Sequence, residues 1–225
     1  MPDWTVDELA RMIDHSLLHP MLDDEQLIKG MAVAVERNCA SVCIKPYFVG
    51  IAAKLLDGTG IRTGTVVGFP HGSGTVQLKI DEAKQAVDDG ADEIDMVIDV
   101  GALKERDFGR VGEEVRALTE LCHGKDRILK VIVETCLLTE AEKIKMCEIV
   151  TDAGADYIKT STGFSTGGAT REDIRLFAAH IGKDVKMKAA GGIRSLQDAE
   201  DFLALGCRRL GTSAVVRLVK EGAKN

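Results

Sequence analysis

No run of basic residues occurs in this chain of 225 residues, whose formal net charge is −7. Nucleic acid and anionic membrane surfaces recruit clustered lysine and arginine, so neither is expected as the main partner. No apolar run approaches the roughly 20 residues needed to cross a bilayer. The opening Met1-Pro2-Asp3-Trp4 lacks the basic and apolar regions of a secretory signal, so a cytoplasmic location is expected. The six cysteines (Cys39, Cys43, Cys122, Cys136, Cys147, Cys207) form no C-x-x-C pair and mostly sit in apolar patterns. They read as buried thiols of a reducing compartment, with neither a disulfide framework nor a zinc site. No residue cluster has metal-ligand spacing, and no Pro/Gly/Ser-rich linker or compositional break divides the chain. With 45% hydrophobic residues, a single domain spanning 1–225 is expected.

What is present is an alternation of two periodicities. Amphipathic helical spacing marks segments near 5–12, 23–37, 47–56, 75–89, 108–122, 139–153, 170–181, 195–205 and 213–221. Short apolar runs lie between them at 13–16, 40–44, 62–67, 93–97, 128–133, 156–159, 185–188 and 208–211. Eight strand candidates, each followed by a helix, predict a closed (β/α)₈ barrel with a short helix before the first strand. A doubly wound sheet shares the alternation. A weak repeat favours the barrel. Asn38, Gly90, Gly154 and Gly206 each suit a left-handed helix cap, and each leads into an even-numbered strand. Five residues past the cap stand Cys43, Asp95, Lys159 and Gly211. Alternate barrel strands feed the same interior layer, so Cys43, Asp95 and Lys159 are expected around one pocket.

Lys159 is the centre of the chemistry. It lies in Tyr157-Ile158-Lys159-Thr160-Ser161-Thr162-Gly163, where a lysine closes a short apolar run before hydroxyls and a glycine. A lysine forced to give up hydration loses its proton more readily, and the free amine can attack a carbonyl to form a Schiff base. A lone strand-end lysine is more often one that snorkels to solvent. A second segment, Val185-Lys186-Met187-Lys188-Ala189-Ala190-Gly191-Gly192, repeats the pattern and ends in a glycine pair. Strand parity adds Asp14 and Ser16, then Lys130, Ile132 and Glu134, to inward faces. Several lysines balanced by Asp14, Asp95 and Glu134 are costly to bury, and such sets are more often functional than structural. Lys188, which precedes the Ala189-Ala190-Gly191-Gly192 loop, is expected at the rim as the neighbour that tunes Lys159. Lys130 is expected deeper, paired with a carboxylate. Gly191-Gly192 and Gly211-Thr212-Ser213 follow the last two strands, where barrels commonly hold phosphate on backbone N–H groups.

The segments Ile13-Asp14-His15-Ser16-Leu17-Leu18, Val66-Val67-Gly68-Phe69-Pro70 and Gly90-Ala91-Asp92-Glu93-Ile94-Asp95-Met96-Val97 carry a resemblance. So do Lys130-Val131-Ile132-Val133-Glu134-Thr135, Ile158-Lys159-Thr160-Ser161-Thr162-Gly163, Lys188-Ala189-Ala190-Gly191-Gly192 and Arg209-Leu210-Gly211-Thr212-Ser213. Essentially end to end, the chain resembles the deoxyribose-phosphate aldolases, class I (Schiff-base) enzymes of (β/α)₈ fold. The resemblance implies reversible cleavage of 2-deoxy-D-ribose 5-phosphate to acetaldehyde and D-glyceraldehyde 3-phosphate, with no metal or other cofactor. It also implies roles: Lys159 for the Schiff base, and Lys188 and Asp95 for tuning and proton movement. Gly163, Gly191, Gly192, Gly211 and Ser213 would cradle the phosphate, and Asp14, Ser16, Cys43 and Thr162 would line the substrate end. A homo-oligomer, dimer or tetramer, is expected.

Lys45, His71 and Phe164 depart from common family residues and are expected at the mouth of the site. His15, His19, His123 and His180 read as structural or surface groups. Two other functions fit the same pattern, another Schiff-base aldolase or transaldolase and a non-catalytic phosphosugar-binding barrel.

Overall fold

Eight short strands leave no sheet edge exposed, because the last pairs back onto the first. The computed structural model describes residues 4–214. Its strands are β1 (Ile13–Leu17), β2 (Ser41–Ile44), β3 (Arg62–Val67), β4 (Glu93–Val97), β5 (Ile128–Ile132), β6 (Tyr157–Lys159), β7 (Lys186–Ala190) and β8 (Cys207–Thr212). All are parallel and adjacent in chain order, and Ile13, Asp14 and His15 of β1 register with Leu210, Gly211 and Thr212 of β8. The structure is therefore the closed barrel, and the doubly wound alternative is ruled out.

The helices are α1 (Val6–Ala10), α2 (Asp24–Glu36), α3 (Val49–Leu56), α4 (Val76–Asp88), α5 (Val100–Lys104), α6 (Phe108–His123), α7 (Glu140–Asp152), α8 (Arg171–His180) and α9 (Leu196–Ala204). Their starts are fixed by side-chain caps. Asp23, Thr75, Asp107, Thr139, Thr170 and Ser195 each accept a hydrogen bond from a backbone N–H of the first turn. Each such cap stabilises its helix by about 1 kcal/mol. The helix ends follow the predicted repeat, since Asn38, Gly90, Gly154 and Gly206 all have positive φ, between 54° and 103°. Helix α5 has no counterpart in the sequence reading, because five residues are too few to display a period. The helix expected at 213–221 falls outside the described residues except for its first two positions.

The two faces of the barrel wall differ in chemistry. Outward-facing Val42, Ile44, Ile94, Met96, Leu129, Val131, Ile158 and Leu210 are fully buried against the helix layer and form the apolar core. Burying one such side chain is worth roughly 1.5–3 kcal/mol. The inward faces carry Asp14, Ser41, Cys43, Glu93, Asp95, Lys130, Tyr157, Lys159, Lys188 and Arg209, all buried. Barrels of this kind are ordinarily filled by branched apolar residues. A polar filling of this density shows that the interior is organised around charge.

A second buried ion pair joins the helix layer. Lys79 of α4 donates to Glu114 Oε2 of α6 at 2.6 Å and to the Val97 carbonyl at 2.9 Å. Burial lifts the Glu114 carboxyl above its ordinary value despite the adjacent ammonium. Replacing Lys79 with Met should destabilise the fold by about 3–5 kcal/mol, because it strands a buried carboxylate. Adding Glu114→Leu should recover most of that loss. Urea unfolding of the single and double variants measures both effects.

Candidate active site

Lys159 ends β6 with its side chain inside the barrel, and its ammonium nitrogen donates to Asp95 Oδ2 at 2.6 Å. Lys188 Nζ donates to the same oxygen at 2.7 Å. The two amines thus face each other across a single atom. Lys130 Nζ takes the other oxygen, Asp95 Oδ1, at 2.8 Å, and also reaches Glu93 Oε2 at 2.6 Å and Asp14 Oδ2 at 3.2 Å. Asp14 accepts in addition from Lys188, from Arg209 and, at 2.8 Å, from the Ser41 hydroxyl. Arg209 grips Glu93 with both nitrogens, Nη1 to Oε2 at 3.0 Å and Nη2 to Oε1 at 2.7 Å.

The electrostatics separate these lysines. Burial pulls the Lys159 amine below its ordinary value. Asp95 opposes that and Lys188 reinforces it. Lys188 and Lys130 are desolvated as fully, but Asp14 and Asp95, with Glu93 added for Lys130, hold both above the usual lysine range. Burial would raise the Asp95 and Asp14 carboxyls, yet the surrounding cations hold both well below the normal range. In the resting site one amine is held below its ordinary range, and the groups around it favour their charged forms.

Above this cluster opens a cavity of about 270 Å³, lined by Ser16, Thr162, Gly163, Gly191, Gly192, Gly211 and Ser213 with Lys159 at its base. Gly191 and Gly192 have φ of 79° and 78°, a left-handed conformation that turns two successive backbone units at the rim. The loop after β6 is joined to the loop after β7. Ala169 N–H donates to the Ala190 and Gly191 carbonyls at 3.1 and 3.0 Å. A Cβ on Gly168 would come within 2.3 Å of the Gly191 carbonyl oxygen. Glu134, at φ 54°, accepts from the Thr162 backbone N–H at 3.3 Å and from its hydroxyl at 2.5 Å, which steadies the rim from β5. Phe164 meets Phe69 of the β3–α4 loop edge-on, with ring centres 5.4 Å apart, and forms an apolar wall of the mouth.

Several expected placements change. Asp14 and Cys43 do not line the cavity. Both are buried beneath it, Asp14 bound to its cations and Cys43 with its thiol pushed up to about 11, first by burial and then by Asp95. Lys188 is not at the rim, because Ala189 and Ala190 continue β7 before the glycines begin. Lys45 turns away from the mouth to donate to the Pro20 and Leu22 carbonyls at 3.1 and 2.6 Å. His71 is exposed and off the cavity wall. His19, read as structural or surface, lines the cavity, as do Leu18, Ile193 and Arg194. Arg209 and Glu93 went unassigned in the sequence because only barrel closure brings Arg209 of β8 to Asp14 of β1 and, across the interior, to Glu93 of β4. Among the described residues, no three His, Cys, Asp or Glu side chains are placed to hold a metal ion.

A buried amine held below its ordinary pKa range, an adjacent carboxylate and ammonium, and a glycine-lined cavity at the strands' carboxyl ends are the arrangement of a barrel enzyme. The profile of the DeoC/LacD family aldolases matches residues 9–206, and the chain belongs to that family. Deoxyribose-phosphate aldolase of Clostridium perfringens is 49% identical over 211 residues, 94% of each chain. That of Clostridium botulinum is 51% identical over 213 residues, 95% of each. The deoxyribose phosphate aldolase structure from Aeropyrum pernix superposes with a TM-score of 0.91 at 27% identity, over 98% of this chain and 93% of that one.

Replacing Lys188 with Leu removes the facing ammonium and leaves Asp95 more dependent on Lys159. The pH midpoint for Schiff-base formation should rise by about one unit or more, and turnover at neutral pH should fall sharply. Rates of borohydride trapping across a pH series give both quantities.

Proposed function

We propose that this chain is a deoxyribose-phosphate aldolase that cleaves 2-deoxy-D-ribose 5-phosphate reversibly to acetaldehyde and D-glyceraldehyde 3-phosphate. The observation that carries the reading is the shared contact of Lys159 and Lys188 with Asp95 Oδ2, directly below a glycine-rimmed cavity. The names of the relatives, at about half identity over nearly the whole chain, point the same way.

The steps follow from these groups. The neutral Lys159 amine adds its lone pair to the aldehyde carbon of the open-chain sugar, and its nitrogen gives up one proton as the carbonyl oxygen gains one, which yields a neutral carbinolamine. A second proton lets that oxygen leave as water, and an iminium remains. Lys188 is the ammonium at hand to supply protons, and Asp95 is the carboxylate through which they are returned. The sugar's C3 hydroxyl then loses its proton and becomes a carbonyl as the C2–C3 bond breaks. The electron pair of that bond forms C1=C2, while the iminium π pair returns to nitrogen as an enamine. D-Glyceraldehyde 3-phosphate departs. Protonation at C2 restores an iminium, and water hydrolyses it to acetaldehyde and free Lys159. The phosphate is held by backbone N–H groups at Gly191, Gly192 and the Gly211-Thr212-Ser213 segment, where small residues admit it closely.

The assignment extends to one barrel domain acting as a homo-oligomer in the cytosol. Six free thiols, five of them buried, suit a reducing compartment. The Aeropyrum pernix relative is described as tetrameric. Among the described residues no helix is long and apolar enough to cross a membrane.

Borohydride reduction in acetaldehyde followed by peptide mass mapping should place the adduct on Lys159 alone. Adduct on Lys188 or Lys130 with Lys159 clean would overturn the assignment. Lys159→Leu should abolish turnover and keep the fold. Gly192→Val should weaken the KM for the phosphorylated sugar at least tenfold more than for 2-deoxyribose itself. Equal losses on both sugars would count against a phosphate role for this segment.

A further inference from the structure

Beneath the cavity, seven ionisable side chains from six strands form one contiguous buried cluster, none more than 7% exposed. The carboxylates are Asp14, Glu93 and Asp95, and the cations are Lys130, Lys159, Lys188 and Arg209. Each carboxylate can be matched with one cation: Glu93 with the two-pronged Arg209, Asp14 with Lys188, and Asp95 with Lys130. Lys159 is then the remaining cation, and its one contact, Asp95 Oδ2, already serves Lys188. The other neighbours do not alter the count. Cys43 of β2 and Tyr157 of β6 have their ionisation pushed up, chiefly by burial, and stay neutral. On β3, Gly64 and Val66 face inward without charge. Arg62 reaches Glu93 Oε1 at 3.1 Å from the far end of the barrel, but half its side chain is in water. Lys186 is likewise solvated, over the Tyr157 ring. Glu134 sits at the rim, bonded to Thr162.

An unmatched charge is expensive in such an interior, and the group able to shed it will do so. Arg209 cannot, because a guanidinium keeps its proton at any working pH. We propose that Arg209 and Glu93 are positioning residues for the Schiff-base lysine. Neither is bonded to Lys159, yet together they fix how many permanent charges the cluster contains, and that number leaves Lys159 the one amine without a carboxylate of its own. Arg209 also clamps Asp14 from below and so keeps Lys188 in place opposite Asp95. This rests on the reading of Lys159 as the Schiff-base residue. Removing Lys130 would change the same count, but it touches Asp95 directly. Arg209 and Glu93 touch neither Asp95 nor Lys159 and give the cleaner measurement.

The experiment is the ascending pH limb of acetaldehyde trapping by borohydride, with the adduct mapped to Lys159, for the native chain and four variants. Glu93→Gln removes one negative charge at nearly constant shape, and its midpoint should move down by about one pH unit. Arg209→Met removes one positive charge, and its midpoint should move up by a similar amount. The double variant restores the balance and should return to within a few tenths of a unit of the native midpoint. Arg209→Lys keeps the charge and should stay near native. Loosening of the barrel alone would move both single variants in the same direction and add in the double. That pattern, or unmoved midpoints, overturns the proposal. If Arg209→Met does not fold, the direction of the Glu93→Gln shift decides. A native chain with no adduct on Lys159 overturns the aldolase assignment itself. A labelled native chain whose variants do not move overturns only the charge-count proposal.

Discussion

Asp95 is a single carboxylate held by three amines, from β5, β6 and β7. Much of the architecture serves that contact. It requires the residue pairs Asp95–Lys130, Ile132–Lys159 and Lys159–Lys188 to lie side by side across neighbouring strands, and the observed register sets them so. A slip of one residue on any of these strands would turn an amine into the helix layer, where it would have no partner. Buried polar networks that are fully satisfied select one arrangement over its near competitors, and this one selects the stagger of half the barrel.

The molecule divides its electrostatic labour by depth. Whole charges sit below the cavity floor, shielded from water and fixed against one another, where their mutual influence is strongest. Partial charges sit at the rim, in the backbone dipoles of glycine-rich turns, and can meet a mobile anion without a lasting desolvation cost. Lys159 lies at the boundary between the two layers and alone reaches both. The apolar contact of Phe69 with Phe164 forms one side of the mouth, and Ser16 of β1, Thr212 of β8 and the glycines after β7 border the rest.

Much of this was legible in the sequence because it depends on local rules. The αL positions Asn38, Gly90, Gly154 and Gly206 each mark a helix end, and the strand that follows inherits its phase from that residue. Phase alone placed Asp95 and Lys159 in one layer. What escaped detection depends on closure. Arg209 meets Asp14 across nearly the whole length of the chain, and no pattern on β8 distinguishes an inward arginine from a solvated one. Lys188 was set too high because Ala189 and Ala190 carry no strand signature, although they extend β7. His19 and Lys45 exchanged expected roles for a related reason. Both lie near the β1–α2 loop, whose path is set by carbonyls at Pro20 and Leu22 that no residue type announces.

The interlock of Gly168 against Gly191 has a consequence for how this scaffold can diversify. The loop after β6 and the loop after β7 share hydrogen bonds and leave no room between their backbones. They therefore behave as one part. A grafted loop, an insertion or a deletion in either would have to be matched in the other, so the pair should be inherited and exchanged as a single cassette. Phe164, at the outer turn of that cassette, packs on Phe69 and the cavity, so a change of side chain there alters the mouth while the backbone interlock at Gly168 and Gly191 is retained.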